Sequence, residues 1–450
     1  MSMMQQPLLI SSLIEHAIVN HPNAEIVSRQ VEGGIFRYTY GQAAARAKQL
    51  ANALTQKLDI KVGDRIGTLA WNTYRHYELY FGVSGMGAVA HTINPRLFPE
   101  QIIYIVNHAA DRFIFVDLTF LPLLEAVASH ISKVEGIVVL TDQAHMPSSS
   151  KLNNLLCYED LIADMPSEYT WPLVDENSDT ALCYTSGTTG NPKGVMYTHR
   201  STVLHAMAAA QYNALNITPD TILLPVVPMF HVNAWGTPYA ATMMGAKLVL
   251  PAHGMDGASL YELINGEQAN LLLGVPTVWL GLLNYLDSIN AKLDSVKNVV
   301  VGGSAAPLSM IKAFQEKHDA FLIHAWGMTE LSPLGTVNSM TRNMAALPLE
   351  QRYQAQLKQG RPVYGVEIKI VDDAGKELAR DGKAFGRLLV RGPWVVDSYY
   401  LNEDRKSFVD GWFDTGDVAT IDPQNTMQIV DRSKDVIKSG GEWISSIDLE

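Results

Sequence analysis

Cysteine is nearly absent from this chain. Its 450 residues include two, Cys157 and Cys183. Two sulfurs make neither a disulfide framework nor a thiolate metal site, and a reducing, cytoplasmic setting is the simplest expectation. Charge is also sparse. It covers 18% of residues, with 34 Lys and Arg against 46 Asp and Glu for a net charge of −12. That balance contains no basic stripe for nucleic acid. H-E-x-x-H, C-x-x-C and G-x-S-x-G do not occur, so zinc hydrolysis and serine nucleophilic catalysis have no support. The glycines at Gly82, Gly85 and Gly87 are in the wrong order for a dinucleotide fingerprint. The opening MSMMQQPLLISSLIEH lacks a basic region before its short apolar run and soon reaches Glu15, which argues against a signal peptide. The least charged stretch, Thr221 to Ala246, carries Pro225, Pro228, His231, Asn233 and Pro238. It therefore reads as buried core and pocket wall, and no transmembrane segment is expected.

What is present is apolar residue in quantity, 47% of the chain, enough to bury large cores in more than one domain. From about residue 40 a βα rhythm is legible. Ala44, Ala47, Ala51 and Leu54 share a helical face, and short apolar runs follow at Ile66–Ala70, Ala88–Ile93, Phe113–Val116 and Ile137–Leu140, with Pro99 opening a helix between them. Strands alternating with helices imply a parallel sheet covered on both faces. A polar passage, Met146 to Asn154, reads as a connection between two such layers. The second layer is then expected from strands at Thr180–Tyr184, Thr221–Leu224, Lys247–Leu250, Leu271–Gly274, Asn298–Val301 and Phe321–His324. After Gly360, short alternating runs separated by DDAG, ARDG and DPQN turns predict a small antiparallel sheet or barrel. The fold class is thus α/β, with an N-terminal α/β subdomain (1–175), a second α/β subdomain (176–360), a small β subdomain (361–431) and a terminal segment (432–450).

The densest chemical signal is the run from Tyr184 to Gly194, in which Thr185, Ser186, Gly187, Thr188, Thr189 and Gly190 precede Lys193. Glycines let backbone N–H groups turn inward around an anion, hydroxyls add donors, and the lysine supplies charge. A polar turn for its own sake would account for the Gly and Ser, but not for so many donors directly after an apolar strand. The run suits a polyphosphate. It is not a Walker A loop, because no Gly stands five residues before a Lys-Ser/Thr pair.

YTSGTTGNPKGV resembles the signature of the AMP-forming adenylate synthetases, the superfamily of acyl-CoA synthetases, firefly luciferase and peptide-synthetase adenylation domains. Further motifs follow in the expected order: Pro228-Met-Phe-His231, Ala325-Trp-Gly-Met-Thr-Glu330, Gly411-Trp-Phe-Asp-Thr-Gly-Asp417 and Asp431 to Gly441. The resemblance implies the fold of an acetyl-CoA synthetase-like large domain, ATP and Mg²⁺ as cofactors, CoA as co-substrate and a carboxylic acid as substrate. A homodimer is implied as well, although no patch in the sequence demonstrates one.

Residue by residue, it implies that Thr329 donates to the α-phosphate and that Glu330 holds Mg²⁺ with Thr185 nearby, a cation that prefers one or two carboxylates plus phosphate oxygens and water. Trp326, between Ala325 and Gly327, matches the aromatic that stacks on adenine, and Gly302, Ser304 and Ala305 match the opposite wall. Tryptophan is more often plain core, so its place in the motif decides. Asp417 would accept from the ribose hydroxyls, with Arg432 beside it. Lys193 would neutralise phosphate. His231, Val232 and Trp235 would line the acyl pocket. Trp235 is expected on the helical face of His231 if a helix starts there. The segment around them looks particularly like that of bacterial fatty acyl-CoA synthetases, whose matching tryptophan gates a fatty-acid tunnel. Apolar neighbours favour a hydrophobic acid of medium or long chain, with a methylthio-acid or an aryl acid as alternatives. No Asp or Lys stands near His231 to greet an amine.

Lys434 matches a hinge, Lys438 a residue near the nucleotide, and Gly440, Gly441 and Trp443 the start of the thiol path. Relatives continue into a C-terminal domain bearing an adenylation lysine. This chain, which stops at Glu450, is therefore expected to act as the large N-terminal domain, binding ATP, Mg²⁺ and acid while adenylating slowly and passing the acyl group to CoA poorly. A nucleotide and adenylate binding module without turnover is the alternative.

Overall fold

The computed structural model describes residues 3–152, 154–185, 191–402, 406–432, 437–439 and 442–444. Two large sheets form its frame. The first has seven strands in the order Leu155–Cys157, Gly136–Val139, Phe113–Val116, Arg65–Leu69, Val89–Thr92, Asp179–Tyr184 and Gly194–Thr198. All neighbours run parallel except the last pair, an antiparallel hairpin with Tyr184 opposite Gly194. The second has nine strands. Its parallel centre comprises Glu25–Arg29, Lys247–Leu250, Ile222–Pro225, Leu271–Gly274, Asn298–Val301 and Phe321–Gly327. Antiparallel strands close both edges, Ile35–Thr39 at one and Leu334–Asn338 with Arg361–Pro362 at the other.

Helices cover these sheets as the apolar periodicity predicts. Thr39 and Gln42 form a capping box at the start of helix Tyr40–Gln56, and Ala44, Ala47, Ala51 and Leu54 on its inner face are buried. Pro99 opens helix Pro99–Ala109. Beyond Gly360 five antiparallel strands, Glu367–Val371, Phe385–Arg391, Phe408–Val409, Trp412–Ile421 and Met427–Arg432, form the small sheet. One buried cluster runs through all three sheets, from Cys183 and Tyr197 through Leu273 and Val300 to Ile368 and Leu388. Among the described residues no helix is long and apolar enough to cross a membrane.

Two expectations about organisation are corrected. Strand Asp179–Tyr184 does not open the second layer; it lies beside Val89–Thr92 in the first sheet, with Ala90 opposite Ala181. The passage Met146–Asn154 accordingly joins two strands of one sheet. In exchange, the N-terminal pair Glu25–Arg29 and Ile35–Thr39 extends the second sheet. A run buried on both faces reports burial without naming its neighbour, so a division at residue 175 separates chain segments and not sheets.

Candidate active site

Of the described residues singled out in the sequence, Thr185, Gly302 and Ala325–Gly327 stand at the carboxyl ends of parallel strands, where ligands of open α/β sheets bind, and Asp417 reaches them from the small antiparallel sheet. The glycine-rich run connects the two strands of the hairpin at the edge of the first sheet. At its base the Thr185 backbone N–H donates to the Lys193 carbonyl at 2.9 Å, and the Lys193 N–H donates to Thr185 Oγ1 at 3.3 Å. A helix does not follow this turn directly, unlike a Walker loop; strand Gly194–Thr198 intervenes before helix His199–Ala210. Ser186, Gly187, Thr188, Thr189 and Gly190 lie outside the described residues.

The second sheet brings its contribution to the same place. Strand Phe321–Gly327 ends in Ala325, Trp326 and Gly327, and a single 3-10 turn, Thr329–Leu331, follows. Thr329 and Glu330 are both buried. Tyr197, in the hairpin, donates its hydroxyl to the Thr329 carbonyl at 2.6 Å. Two contacts from residues 392–401 reach Glu330: the Tyr399 hydroxyl donates to Oε1 at 2.6 Å, and the Val396 N–H donates to its carbonyl at 2.8 Å. Tyr399 also carries the Lys193 ammonium 5.0 Å above its ring centroid. Hairpin, turn and small sheet are thus bonded to one another through Tyr197 and Tyr399.

Trp326 and Asp417 are adjacent. The indole Nε1–H donates to Asp417 Oδ2 at 3.0 Å, and Asp417 is only 3% exposed. Arg432 stands opposite Asp417 in the register of the small sheet. The structure therefore brings together the pair expected at the ribose and the ring expected under the adenine. The Arg432 side chain, like those of Lys438 and Trp443, lies outside the described residues, as does the whole of Lys434, Gly440 and Gly441. Gly302 follows strand Asn298–Val301 and is buried, while Ser304 and Ala305 are exposed on the loop after it.

The residues expected at the acyl pocket adopt a geometry the sequence did not disclose. Val232, Asn233, Ala234 and Trp235 all have left-handed φ, from 48° to 57°, so His231 and Trp235 do not share a right-handed helical face. Left-handed backbone costs an L-residue roughly 1–2 kcal/mol, and four in a row persist only where the surroundings impose them. Those surroundings are visible. The Ala234 N–H reaches the Pro228 carbonyl at 3.2 Å, Thr237 Oγ1 donates to the Ala234 carbonyl at 2.7 Å, and the buried Cys183 thiol donates to Asn233 Oδ1 at 3.4 Å. Burial pushes that thiol up to about 11, which keeps it a donor and not a thiolate. Trp235 is thereby turned onto Gly302: a β-carbon at residue 302 would stand 2.8 Å from Cη2 of the indole. Only glycine leaves room for this ring. His231 is half-buried, and burial together with the Arg96 charge lowers its pKa from the ordinary histidine value, favouring the neutral imidazole.

Sequence reading missed Tyr197, Tyr399, Cys183 and Asn233. Tyr197 sits two residues beyond the signature. Tyr399 sits in a stretch without a glycine or hydroxyl pattern to draw attention to it.

Comparison with known proteins agrees with this arrangement. The family described as AMP-binding enzyme matches residues 14–400. A 3-methylmercaptopropionyl-CoA ligase of Ruegeria lacuscaerulensis is 50% identical over 448 residues, which cover 100% of this chain and 83% of that protein. A medium-chain-fatty-acid–CoA ligase of Ectopseudomonas oleovorans is likewise 50% identical over 448 residues, covering 100% of this chain and 82% of the relative. Among solved structures, the anthranilate CoA ligase AuaEII in complex with anthranoyl-AMP superposes with a TM-score of 0.86 at 25% identity, over 99% of this chain and 82% of that one. On both sequence and fold, the chain belongs to the AMP-binding enzyme family, the adenylate-forming enzymes whose ordered motifs it carries.

Proposed function

We propose that this protein activates a hydrophobic carboxylic acid, a medium- or long-chain fatty acid, to an acyl-adenylate and transfers the acyl group to the thiol of CoA. The meeting of Lys193 and Glu330 on Tyr399, with the Trp326–Asp417 pair on the strand that leads to Glu330, is the observation that carries this reading.

In the first step a carboxylate oxygen attacks the α-phosphorus of ATP, the Pα–O bond to pyrophosphate breaks, and acyl-AMP forms. Both reactants are anions, so the site must lower their repulsion and hold them in line. Lys193 and the donors of residues 185–190 are assigned to the β- and γ-phosphates, and the Thr329 hydroxyl to the α-phosphate. Trp326, with Gly302, Ser304 and Ala305 opposite, is assigned to the adenine, and Asp417 with Arg432 to the ribose. The donor set at Glu330 and Thr185 consists of hard oxygens, as Mg²⁺ requires. Among the described residues no group of three or more His, Cys, Asp or Glu could cage a metal, so a cation here would complete its shell with phosphate and water. Bound there, Mg²⁺ would supply charge neutralisation on the phosphates. His231, held neutral, meets the acid without adding a second cation. In the second step the CoA sulfur bonds to the acyl carbon, the carbon–oxygen bond to the phosphate breaks, and AMP leaves. By motif alone, Lys434 is assigned to the hinge between the two steps, Lys438 to the nucleotide and Trp443 to the thiol path.

A shorter methylthio-acid is the second reading. Trp235 closes the pocket against Gly302, and the Ruegeria relative, named for such an acid, is as similar as the fatty-acid one. Pyrophosphate–ATP exchange over a series from butanoate to dodecanoate, with methylthiopropionate and benzoate, separates these. Exchange should be strongest with medium-chain aliphatic acids, and Trp235→Ala should move the optimum to longer acids by roughly tenfold in relative rate, the scale of a few methylenes in an apolar pocket. A preference for benzoate would contradict the assignment, and an optimum at methylthiopropionate would establish the second reading.

A further inference from the structure

Tyr399 belongs to the small sheet by packing. Its ring meets Phe408 edge-on at 5.8 Å and Phe413 at 6.4 Å, and the residue is 5% exposed. A buried tyrosine needs an acceptor for its hydroxyl, and a backbone carbonyl would satisfy that need. Here the acceptor is the Glu330 carboxylate, at 2.6 Å, and the ring carries the Lys193 ammonium at 5.0 Å. One side chain therefore touches two site groups of opposite charge, using the feature suited to each: an O–H for the anion and a π face for the cation.

The next residue repeats the pattern on the flank of the glycine-rich turn. Tyr400 lies so close over Gly194 that a β-carbon there would stand 2.9 Å from its own. It also meets His108 edge-on at 5.3 Å, and His108 Nδ1 is 2.7 Å from the Tyr184 hydroxyl. Consecutive tyrosines thus brace the turn at Lys193–Gly194 and, through His108, at Tyr184.

Resting on the reading of Glu330 and Lys193 given above, we propose that Tyr399 is a positioning residue for adenylation: its hydroxyl aims the Glu330 carboxylate at the metal, and its ring seats the Lys193 ammonium for the phosphates. The two halves are separable by substitution. Tyr399→Phe keeps the ring and deletes the hydrogen bond; Tyr399→Leu deletes both.

The test is calorimetric binding of ATP to the intact chain without acid, once with Mg²⁺ and once with a chelator, accompanied by thermal melting of each variant. Tyr399→Phe should lose roughly tenfold of the gain in ATP affinity that Mg²⁺ confers, the scale of one hydrogen bond to a charged group, with metal-free affinity as in the parent. Tyr399→Leu should lose metal-free affinity as well. Glu330→Gln serves as reference and should lose the Mg²⁺ gain outright. If Tyr399→Phe keeps the full gain while Glu330→Gln loses it, the role of Tyr399 is overturned and that of Glu330 stands. If Tyr399→Phe weakens binding equally with and without Mg²⁺, the hydroxyl acts on the fold alone and the inference is likewise overturned. If Glu330→Gln keeps the gain, both fall together.

Discussion

Glu330→Gln is expected to slow acid-dependent pyrophosphate–ATP exchange by about two orders of magnitude or more, the scale on which removal of one preorganised electrostatic group acts. The substitution is nearly isosteric and removes a negative charge from a buried position, so it creates neither a cavity nor an unpaired ion. Tyr399 can still donate to the amide oxygen, and the Val396 contact uses the backbone carbonyl, which does not change. The fold should therefore survive while the site loses its carboxylate. Exchange at saturating ATP and acid, compared with the melting temperature, reads the two separately. An exchange rate within a few-fold of the parent, in a protein melting normally, would show that Glu330 does not stabilise charge in this reaction.

The second large effect is expected at Asp417. Alanine there deletes two proposed bonds to the ribose and also strands the Trp326 N–H, which now donates to Oδ2 at 3.0 Å. Hydrogen bonds to an ionised group contribute about 1.5–3 kcal/mol each, so ATP affinity should fall by roughly a hundredfold or more. Asp417→Asn keeps an acceptor for the indole while losing the charge, and should recover more stability than affinity. Calorimetric dissociation constants for ATP, set beside those for inorganic pyrophosphate, locate the loss. Weakening confined to ATP supports a ribose contact, and equal weakening of both ligands would mean that the strand has moved.

These two residues also mark how far the chain could be read without coordinates. That Asp417 and Trp326 meet, and that Glu330 and Lys193 meet on one tyrosine, is in keeping with the ordered motifs from which these four residues are singled out. Helix Tyr40–Gln56 was legible because its apolar period is local. Strand Asp179–Tyr184 was recognised as a strand, but its partner was not, because adjacency to Val89–Thr92 depends on contacts between residues about ninety apart. The left-handed turn at Val232–Trp235 is not legible in the sequence, where a shared face for His231 and Trp235 depends on a helix starting there, because no local propensity predicts four successive strained residues; its contacts are to a thiol in one sheet and a bare glycine in the other. Tyr399 escaped for the same reason, since its importance lies in what it touches across the two sheets.

Attack of a carboxylate on the α-phosphorus can be followed atom by atom. With octanoate labelled by oxygen-18 in its carboxyl group, ATP, Mg²⁺, and hydroxylamine to capture the activated acyl carbon, the label should appear in the phosphoryl group of AMP, since the bridging oxygen stays with phosphorus when the acyl carbon is taken. Label recovered instead in inorganic phosphate, with ADP as the nucleotide product, would mean attack at the γ-phosphorus and would contradict an adenylating site.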